Sequence, residues 1–307
     1  MDQRRALLIL LAAFGGLFAL FLVAMMVVVG SATGSPAVAL RGKAKVGVVE
    51  VTDTITDTKE FTEKLRRFVD QHEIKAIVVR IDSPGGSVGA SQEMRAEIIR
   101  AREKKKVVAS LGNVAASGGF YAAVGADKVV ANPGTLTGSI GVIMQHPVVA
   151  DLMKAAKVDM QTYTSGSLKD SGSAFRHPTP MEQTYLQGIT TEIHQQFVAA
   201  VAESRGLERE KVMTVADGRV ITGQTAKELG LVDELGTVWD AAVLALKLAE
   251  VPGEPDLVYP PKKGGFLAEL MEVGAAAMVK AWRAESPLQG LGTAWPGLVL
   301  PRGTDVR

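Results

Sequence analysis

The residue best suited to act as a nucleophile lies in a segment of very small side chains. Ser117 stands in the sequence AASGGFY, residues 115–121, where its neighbours are too small to shield its hydroxyl. The segment follows a predicted strand and opens a predicted helix, whose N-terminal partial charge would favour an alkoxide or an oxyanion. This pattern resembles the nucleophile turn of hydrolases without matching G-x-S-x-G. The alternative is that the small residues serve close packing and that Ser117 is a helix cap.

Two further glycine-bearing turns follow strand candidates. The first, DSPGGS at residues 82–87, can aim backbone N–H groups at an anion or an oxyanion, and it is not a P-loop because no GK[ST] follows. The second, LTGSIGV at residues 136–142, contains Ser139, whose hydroxyl could hold a neutral lysine amine in place. Taken alone, each turn is better explained as an ordinary connection: a strand-to-helix turn for the first, and a hairpin or strand-entry turn for the second.

A serine nucleophile needs a base, and the sequence leaves the choice open. One set of candidates is the 4 histidines, His72, His146, His177 and His194. The alternative is Lys169 in the small-residue loop SGSLKDSGS, residues 165–173. An ordinary lysine is protonated at neutral pH, so a lysine base must be desolvated until its pKa falls to about 7–8.

Composition excludes several classes of function. With 34 basic and 33 acidic residues and a net charge of +1, the chain has no global attraction for nucleic acid. It has no cysteine, which excludes disulfides, thiolate nucleophiles and zinc sites with sulfur ligands. No HExxH pair is present, so a metal hydrolase would need scattered ligands. At 47% hydrophobic residues, most of the chain is expected to fold.

Apolar runs alternate with amphipathic stretches and predict an α/β fold with a mainly parallel sheet. The predicted strands are residues 46–51, 74–81, 107–111, 128–131 and 140–144. The predicted helices are residues 61–69, 94–99, 115–124 and 179–203. The last of these opens with Thr179, Pro180 and Glu182, which form a strong helix-start signal.

The N-terminus predicts a membrane anchor. Residues 6–29 form a segment without any charged or strongly polar side chain. This segment is long enough to span a bilayer and too long for the apolar region of a cleaved signal peptide. Arg4 and Arg5 favour a cytoplasmic N-terminus and a body outside the cytoplasm, although the basic residues at 41, 43 and 45 make the charge rule ambiguous. The predicted divisions are 1–30 (stub and anchor), 31–43 (tether), 44–250 (folded body) and 251–307 (tail of unknown role).

Taken together, the motifs resemble a known family. The ordered set is IDSPGG (81–86), AASGGFY (115–121), LTGSIGV (136–142), SGSLKD (165–170), ADGRVITG (216–223) and GLVDELG (230–236). It is similar to the short, single-copy form of the bacterial signal peptide peptidase A family, membrane-anchored serine proteases with a Ser/Lys dyad. The resemblance covers roughly residues 44–248.

The resemblance implies roles for individual residues. Ser117 would be the nucleophile, Lys169 the general base, and Ser139 the group that orients the lysine amine. The backbone amides of Gly86 and Gly118 would form the oxyanion hole, with Gly85 as the alternative to Gly86. No metal or cofactor is expected.

The resemblance also implies the fold, the assembly and the substrate. The fold would be that of the Clp protease and crotonase superfamily, with repeated ββα units. Single-copy members form ring- or dome-like homo-oligomers, in which neighbouring subunits can complete the dyad. The expected substrate is an apolar peptide near the inner membrane, such as a released signal peptide.

Three alternatives stay open at this point. One is a crotonase-type acyl-CoA enzyme, which would need an adenine pocket and no reactive serine. Another is a membrane-bound Ser/Lys protease of the group linked to stomatin partners, which would cleave one specific membrane protein. The third is an anchored scaffold or an inactive relative.

Overall fold

The computed structural model describes residues 42–261. The eight strands within this range are β1 (Lys43–Thr52), β2 (Ala76–Ser83), β3 (Val107–Ala116), β4 (Lys128–Ala131), β5 (Leu136–Gly138), β6 (Val220–Thr222), β7 (Glu234–Leu235) and β8 (Glu254–Val258). The eight helices of the same range are α1 (Lys59–Asp70), α2 (Val88–Arg102), α3 (Gly118–Ala123), α4 (Ala150–Ala155), α5 (Pro180–Arg205), α6 (Arg209–Met213), α7 (Gly223–Glu228) and α8 (Val238–Leu248).

The strands form one sheet whose central members are parallel. Their order is β6-β5-β3-β2-β1-β8, while β4 also pairs with β3, and β7 pairs with β4. Every pairing among these strands is parallel except that of β5 with β6. β2 and β3 are buried over most of their length, as expected for parallel strands covered on both faces. The predicted α/β fold with a mainly parallel sheet is therefore confirmed.

Hydrophobic cores lie on both faces of the sheet. One core takes buried residues from α1, α2, α3 and α5, among them Leu65, Ile98, Phe120 and Val201. The other is formed by α8 against alternate residues of the central strands, including Val46, Val78 and Leu246. Burying one such side chain contributes about 1.5–3 kcal/mol. The ends of β2 and β3 are thus held by a well-packed scaffold.

β3 changes its neighbour halfway along its length. Residues 108–111 pair with β4, whereas residues 114–116 pair with β5. On its other edge, the register with β2 shifts between Ile81 and Ser83. The last residues of β3 therefore follow a path set by β5, and this path leads directly to Ser117.

Two predicted elements differ from those observed. Residues 140–144, predicted as a strand, have no regular structure. Ile143 is 81% exposed and Met144 46% exposed, so this apolar run does not form a buried strand within the chain. The small-residue helix predicted over 115–124 begins only at Gly118, because β3 continues through Ala116.

The sheet also extends beyond the predicted end of the folded body at Glu250. β8 pairs in parallel with β1 over residues 254–258 and adds an edge strand. The sequence did not predict β8, because this strand is short and includes Pro255, a residue compatible with an edge position.

The predicted anchor at residues 6–29, most of the tether, and residues 262–307 of the tail lie outside the described residues. Between residues 42 and 261, no helix combines the length and the apolar character that a bilayer-spanning segment requires.

Candidate active site

Ser117 occupies a sharp turn between β3 and α3. Its backbone has φ 51° and ψ −120°, an unusual conformation for a residue with a side chain. The Ser117 amide donates to the Gly138 carbonyl at 2.9 Å, and the Ser117 carbonyl accepts from the Tyr121 amide at 2.9 Å. These bonds hold the turn so that the half-buried serine projects at the end of the strand.

A glycine turn after β2 lies against the Ser117 turn. Gly85 and Gly86 have φ values of 103° and 159°, which favour glycine. A Cβ on Gly85 would lie 2.7 Å from the Gly118 nitrogen, and one on Gly118 would lie 3.2 Å from the Gly86 nitrogen. The two turns therefore bring the amides of Gly86 and Gly118 together beside Ser117. Because Gly118 is the first residue of α3, its amide has no helical carbonyl to bond.

Hydrogen bonds around the glycine turn distinguish Gly85 from Gly86. The Gly85 amide donates to Ser83 Oγ at 3.1 Å. The Ile55 amide donates to the Gly85 carbonyl at 2.9 Å, and the Ile55 carbonyl accepts from the Ser87 amide at 2.7 Å. The amides of Gly85 and Ser87, on either side of Gly86, therefore donate hydrogen bonds. Within residues 42–261, no group accepts a hydrogen bond from the Gly86 amide itself.

Ser139 lies beside Ser117 in the neighbouring strand path. Ala116 pairs with Gly138 across β3 and β5, so Ser117 and Ser139 are the next residues on the two paths. Ser139 also has a positive φ of 48°, and its amide donates to the Arg219 carbonyl at 2.9 Å. The fold thus brings together the predicted nucleophile, its predicted supporting serine and both predicted oxyanion donors.

Asp82, at the end of β2, fixes the approach to the Ser117 turn. Its Oδ1 accepts from the Val114 amide at 3.1 Å, and its Oδ2 accepts from the Asn113 side chain at 2.9 Å. A Cβ on Gly112 would lie 2.8 Å from the Asp82 Cγ, so the chain passes tightly around this carboxylate. Asp82 therefore binds the residues of β3 at the point where the register between β2 and β3 shifts, just before Ser117.

The next residue, Ser83, fixes the glycine turn. Its fully buried hydroxyl accepts from the Gly85 amide and donates to the Asp53 carbonyl. Two consecutive residues of β2 thus hold the two halves of the site. The motif containing them was recognised from the sequence, but their positioning roles depend on contacts with β3 and the segment after β1.

A narrow, mainly apolar cleft lies beside Ser117. In addition to Gly86, Ser117 and Gly118, its lining consists of Val88, Ser91, Tyr121, Gly141, Val142, Ile193 and Phe197. The rings of Tyr121 and Phe197 pack with centroids 4.8 Å apart. Its volume is only about 20 Å³, so as it stands the cleft admits no more than a very small group. Sequence spacing could not identify this lining, because α2, α5 and the segment after β5 meet only in the folded chain.

Lys169 lies in the loop between α4 and α5 and is exposed. Its amide donates to the Gly166 carbonyl at 3.1 Å. The lining of the cleft contains neither Lys169 nor any of the 4 histidines. The described single chain therefore does not bring a candidate base into the cleft that contains Ser117.

An ion-pair cluster ties the Lys169 loop to the start of α5. Arg176 donates to Asp170 Oδ2 at 2.8 Å and to the Asp170 carbonyl at 3.1 Å. It also donates to both carboxylate oxygens of Glu182, which is 1% exposed. Glu182 and Thr179 form a capping box at the start of α5, the position at which the sequence predicted that this helix begins. Asp170, the residue next to Lys169, is thus linked through Arg176 to the buried carboxylate of Glu182.

This cluster should make stability depend on acid pH. Hydrogen bonds from Arg176 lower the pKa of Glu182 from 4.5 to about 2. A lowered carboxyl pKa stabilises the fold above the unfolded pKa, and the stabilisation is lost as the pH falls towards the folded pKa. We expect Glu182→Gln to lower the Tm by several degrees near neutral pH, and expect this deficit to shrink between pH 4.5 and about 2. Thermal unfolding at a series of pH values measures the effect.

Glu192→Gln is the matched control, because Glu192 is an exposed carboxylate on the same helix. It should leave the Tm nearly unchanged throughout the series. A Glu182→Gln deficit that stayed constant down to pH 2 would show that the carboxylate charge is not the stabilising feature.

Among residues 42–261, no group of three or more histidine, aspartate or glutamate side chains is arranged to hold a metal ion.

Comparison with known proteins identifies the family. Residues 99–252 match the profile of Peptidase family S49. A protein of Synechocystis sp., named as a candidate protease, is 44% identical over 217 residues, which are 70% of this chain and 78% of that protein. Serine protease SPPA, chloroplastic, from Arabidopsis thaliana is 36% identical over 195 residues, which are 63% of this chain and 29% of that protein.

Among solved structures, a ClpP1 mutant from Listeria monocytogenes matches with a TM-score of 0.41 and 17% identity, covering 63% of this chain and 93% of that one. The matches to the family and to its named members confirm the likeness that the sequence motifs predicted. The chain belongs to peptidase family S49 and is a serine protease.

Proposed function

We propose that this protease hydrolyses apolar peptides with Ser117 as nucleophile and Lys169 as general base. The observation that carries the proposal is the strained Ser117 turn, which lies against two amides suited to bind an oxyanion. In this mechanism the neutral lysine takes the serine proton as Oγ attacks the peptide carbonyl, and then protonates the leaving amine. Water hydrolyses the resulting acyl-enzyme through the same base.

The oxyanion hole consists of the amides of Gly86 and Gly118. The Gly85 amide is already bonded to Ser83, which supports Gly86 over Gly85 as the first donor. Fixed donors of this kind stabilise the charge that develops on the carbonyl oxygen, and losing one typically costs about 10²–10³-fold in rate. Ser139 orients the lysine amine from the neighbouring strand path.

The catalytic unit is a homo-oligomer in which Lys169 meets Ser117 of a neighbouring copy. A lysine that acts as a base must be neutral, and this requires that protein cover its amine. The segment after β5 supports such docking, because it exposes large apolar side chains: Ile143 is 81%, Leu152 70% and Tyr163 91% exposed. The ββα architecture of the Clp and crotonase superfamily is the fold we propose for each copy.

The substrate is an apolar peptide near the inner membrane, such as a released signal peptide. The apolar cleft beside Ser117 supports this class. Residues 6–29 anchor the chain as a single membrane span, with the catalytic body on the extracytoplasmic side. Membership of a peptidase family favours peptide hydrolysis over acyl-CoA chemistry.

The test is hydrolysis of fluorogenic apolar peptides by the full chain purified in detergent, together with labelling by a serine-directed covalent probe. We expect peptide turnover and a single labelled site at Ser117. Labelling elsewhere, or no turnover by an assembled and folded sample, would overturn the proposal.

Loss of the Asp82 carboxylate should slow catalysis without preventing substrate binding. We expect Asp82→Ala to lower kcat about 10–100-fold with little change in KM, because the Ser117 turn can then shift relative to Gly86. Asp82→Asn keeps an oxygen that can accept from the Val114 amide and should recover most of the rate. Steady-state kinetics on one apolar peptide measures both effects. Equal losses in the two variants would mean that the charge, rather than positioning, is what matters.

A further inference from the structure

The cleft beside Ser117 lies where one particular side chain of a bound peptide must lie. For attack, the peptide carbonyl carbon has to be within reach of Ser117 Oγ, with its oxygen towards the amides of Gly86 and Gly118. We call the residue that supplies this carbonyl the scissile residue, and its Cβ is about 2.5 Å from the carbonyl carbon. Ser117, Gly86 and Gly118 all line the cleft. The side chain of the scissile residue is therefore the part of the peptide that meets the cleft.

The volume of the cleft limits the size of that side chain. The cleft has a volume of about 20 Å³. Because a cavity needs about 10–15 Å³ to hold one water molecule, this cleft holds a single group of about that size. The methyl group of alanine is such a group. The branched side chains of valine and leucine are larger and do not fit the cleft as it stands.

Buried residues hold part of the cleft wall in place. Tyr121 and Phe197 are 8% and 4% exposed and belong to the core, where their rings pack with centroids 4.8 Å apart. Ser91 is 2% exposed, and a Cβ on Gly118 would collide with its hydroxyl oxygen. Close-packed groups of this kind do not move apart without losing contacts elsewhere. This part of the wall therefore resists any widening of the cleft.

Other wall residues are only half-buried, namely Val88, Val142 and Ile193. Ile193 lies on α5, four residues before Phe197, so the two side chains share one face of the helix. Because Ile193 is half-buried, shortening its side chain removes little core packing, and it adds volume to the cleft. Ile193 is therefore the residue through which the size of the cleft can be changed while the buried rings stay in place.

We propose that this cleft selects alanine as the scissile residue and that Ile193 is a specificity-determining residue of the protease. The proposal rests on the proposed function and names the substrate class of the same site, an apolar peptide cleaved after alanine. Glycine leaves the cleft empty and forgoes the burial of one methyl group, which lowers kcat/KM about fourfold. Valine and leucine overfill the cleft, and a misfit of one methylene or more in an apolar pocket costs about 10–100-fold.

The experiment compares fluorogenic peptides that are identical except for Gly, Ala, Val or Leu at the scissile position, with the cleaved bond verified by mass spectrometry. The full chain in detergent should give the alanine peptide the highest kcat/KM, about fourfold above glycine and at least about tenfold above leucine. Ile193→Ala should lower the ratio of alanine to leucine at least about fivefold. Ile189→Ala is the matched control, because it makes the same change at a half-buried position of α5 outside the cleft lining. It should keep the wild-type ratio.

Covalent labelling of wild-type Ser117 separates this proposal from the protease mechanism. If the enzyme is not labelled and cleaves none of the four peptides, the mechanism and the specificity both fail. If Ser117 is labelled but the leucine peptide is cleaved as fast as the alanine peptide, the specificity alone is disproved. It is also disproved if folded Ile193→Ala changes the ratio no more than Ile189→Ala does. Should Ile193→Ala not fold, Val142→Ala changes a wall residue in a segment without regular structure and must lower the same ratio.

Discussion

Replacement of Ser117 by alanine should reduce peptide hydrolysis by at least about 10⁴-fold, because only substrate binding and the oxyanion hole then remain to accelerate the reaction. The fold should not change. The bond from the Ser117 amide to the Gly138 carbonyl uses no side-chain atom, and α3 begins with the backbone carbonyl of the same residue. The measurement is kcat/KM on a fluorogenic apolar peptide, with circular dichroism and the Tm as checks on folding.

Ser139→Ala is the matched control for this variant. Ser139 has a similar positive φ and lies on the neighbouring strand path, so the two substitutions impose comparable backbone demands. We expect Ser139→Ala to retain covalent labelling at Ser117 and to lose only about 10–100-fold in rate, as expected for a group that positions the base. Full turnover by Ser117→Ala, with the probe attached to another residue, would remove Ser117 from the mechanism.

The parallel sheet could be predicted because a local pattern of apolar residues identifies each of its long strands. Residues 76–81 and 107–111 are nearly uninterrupted apolar runs, and parallel strands buried on both faces require such runs. The run at 140–144 has the same local pattern, but the structure leaves Ile143 exposed. A buried strand and an exposed apolar segment can have the same sequence pattern. Only the tertiary structure determines which of them is buried.

The two turns that meet at Ser117 could be predicted for a different reason. Ser117 and Gly86 need unusual backbone angles, and small residues cluster where such angles occur. The apolar cleft had no comparable signal, because Ile193 and Phe197 lie on a long helix that also supplies core residues such as Val198 and Val201. Contacts between distant segments determine which face of that helix meets the site, and a single sequence does not encode these contacts locally.

Loss of the lysine base is the second large effect that we expect. Lys169→Ala should reduce turnover at neutral pH by about 10³-fold or more, because general base catalysis and activation of the serine are lost together. Lys169→Arg is the sharper variant. It keeps the positive charge and a long side chain, but a guanidinium remains protonated and cannot accept the serine proton. We therefore expect the arginine variant to be as inactive as the alanine variant.

Both variants should keep the Tm of the wild type, since Lys169 is exposed and its loop is held through Asp170 and Arg176. Kinetics on the apolar peptide and thermal unfolding measure these expectations. Turnover near the wild-type level by Lys169→Arg would exclude Lys169 as the general base. The histidines would then be the remaining candidates.

Mixing the two inactive variants decides where the base comes from. The cleft of a single chain does not include Lys169, so an active site completed within one chain would require the 165–173 loop to move. In an assembly where neighbouring copies complete the dyad, co-expressed Ser117→Ala and Lys169→Ala chains should recover up to about a quarter of wild-type activity, since random pairing places an intact serine beside an intact lysine at that frequency. No recovery in verified mixed assemblies would mean that both residues act within one chain.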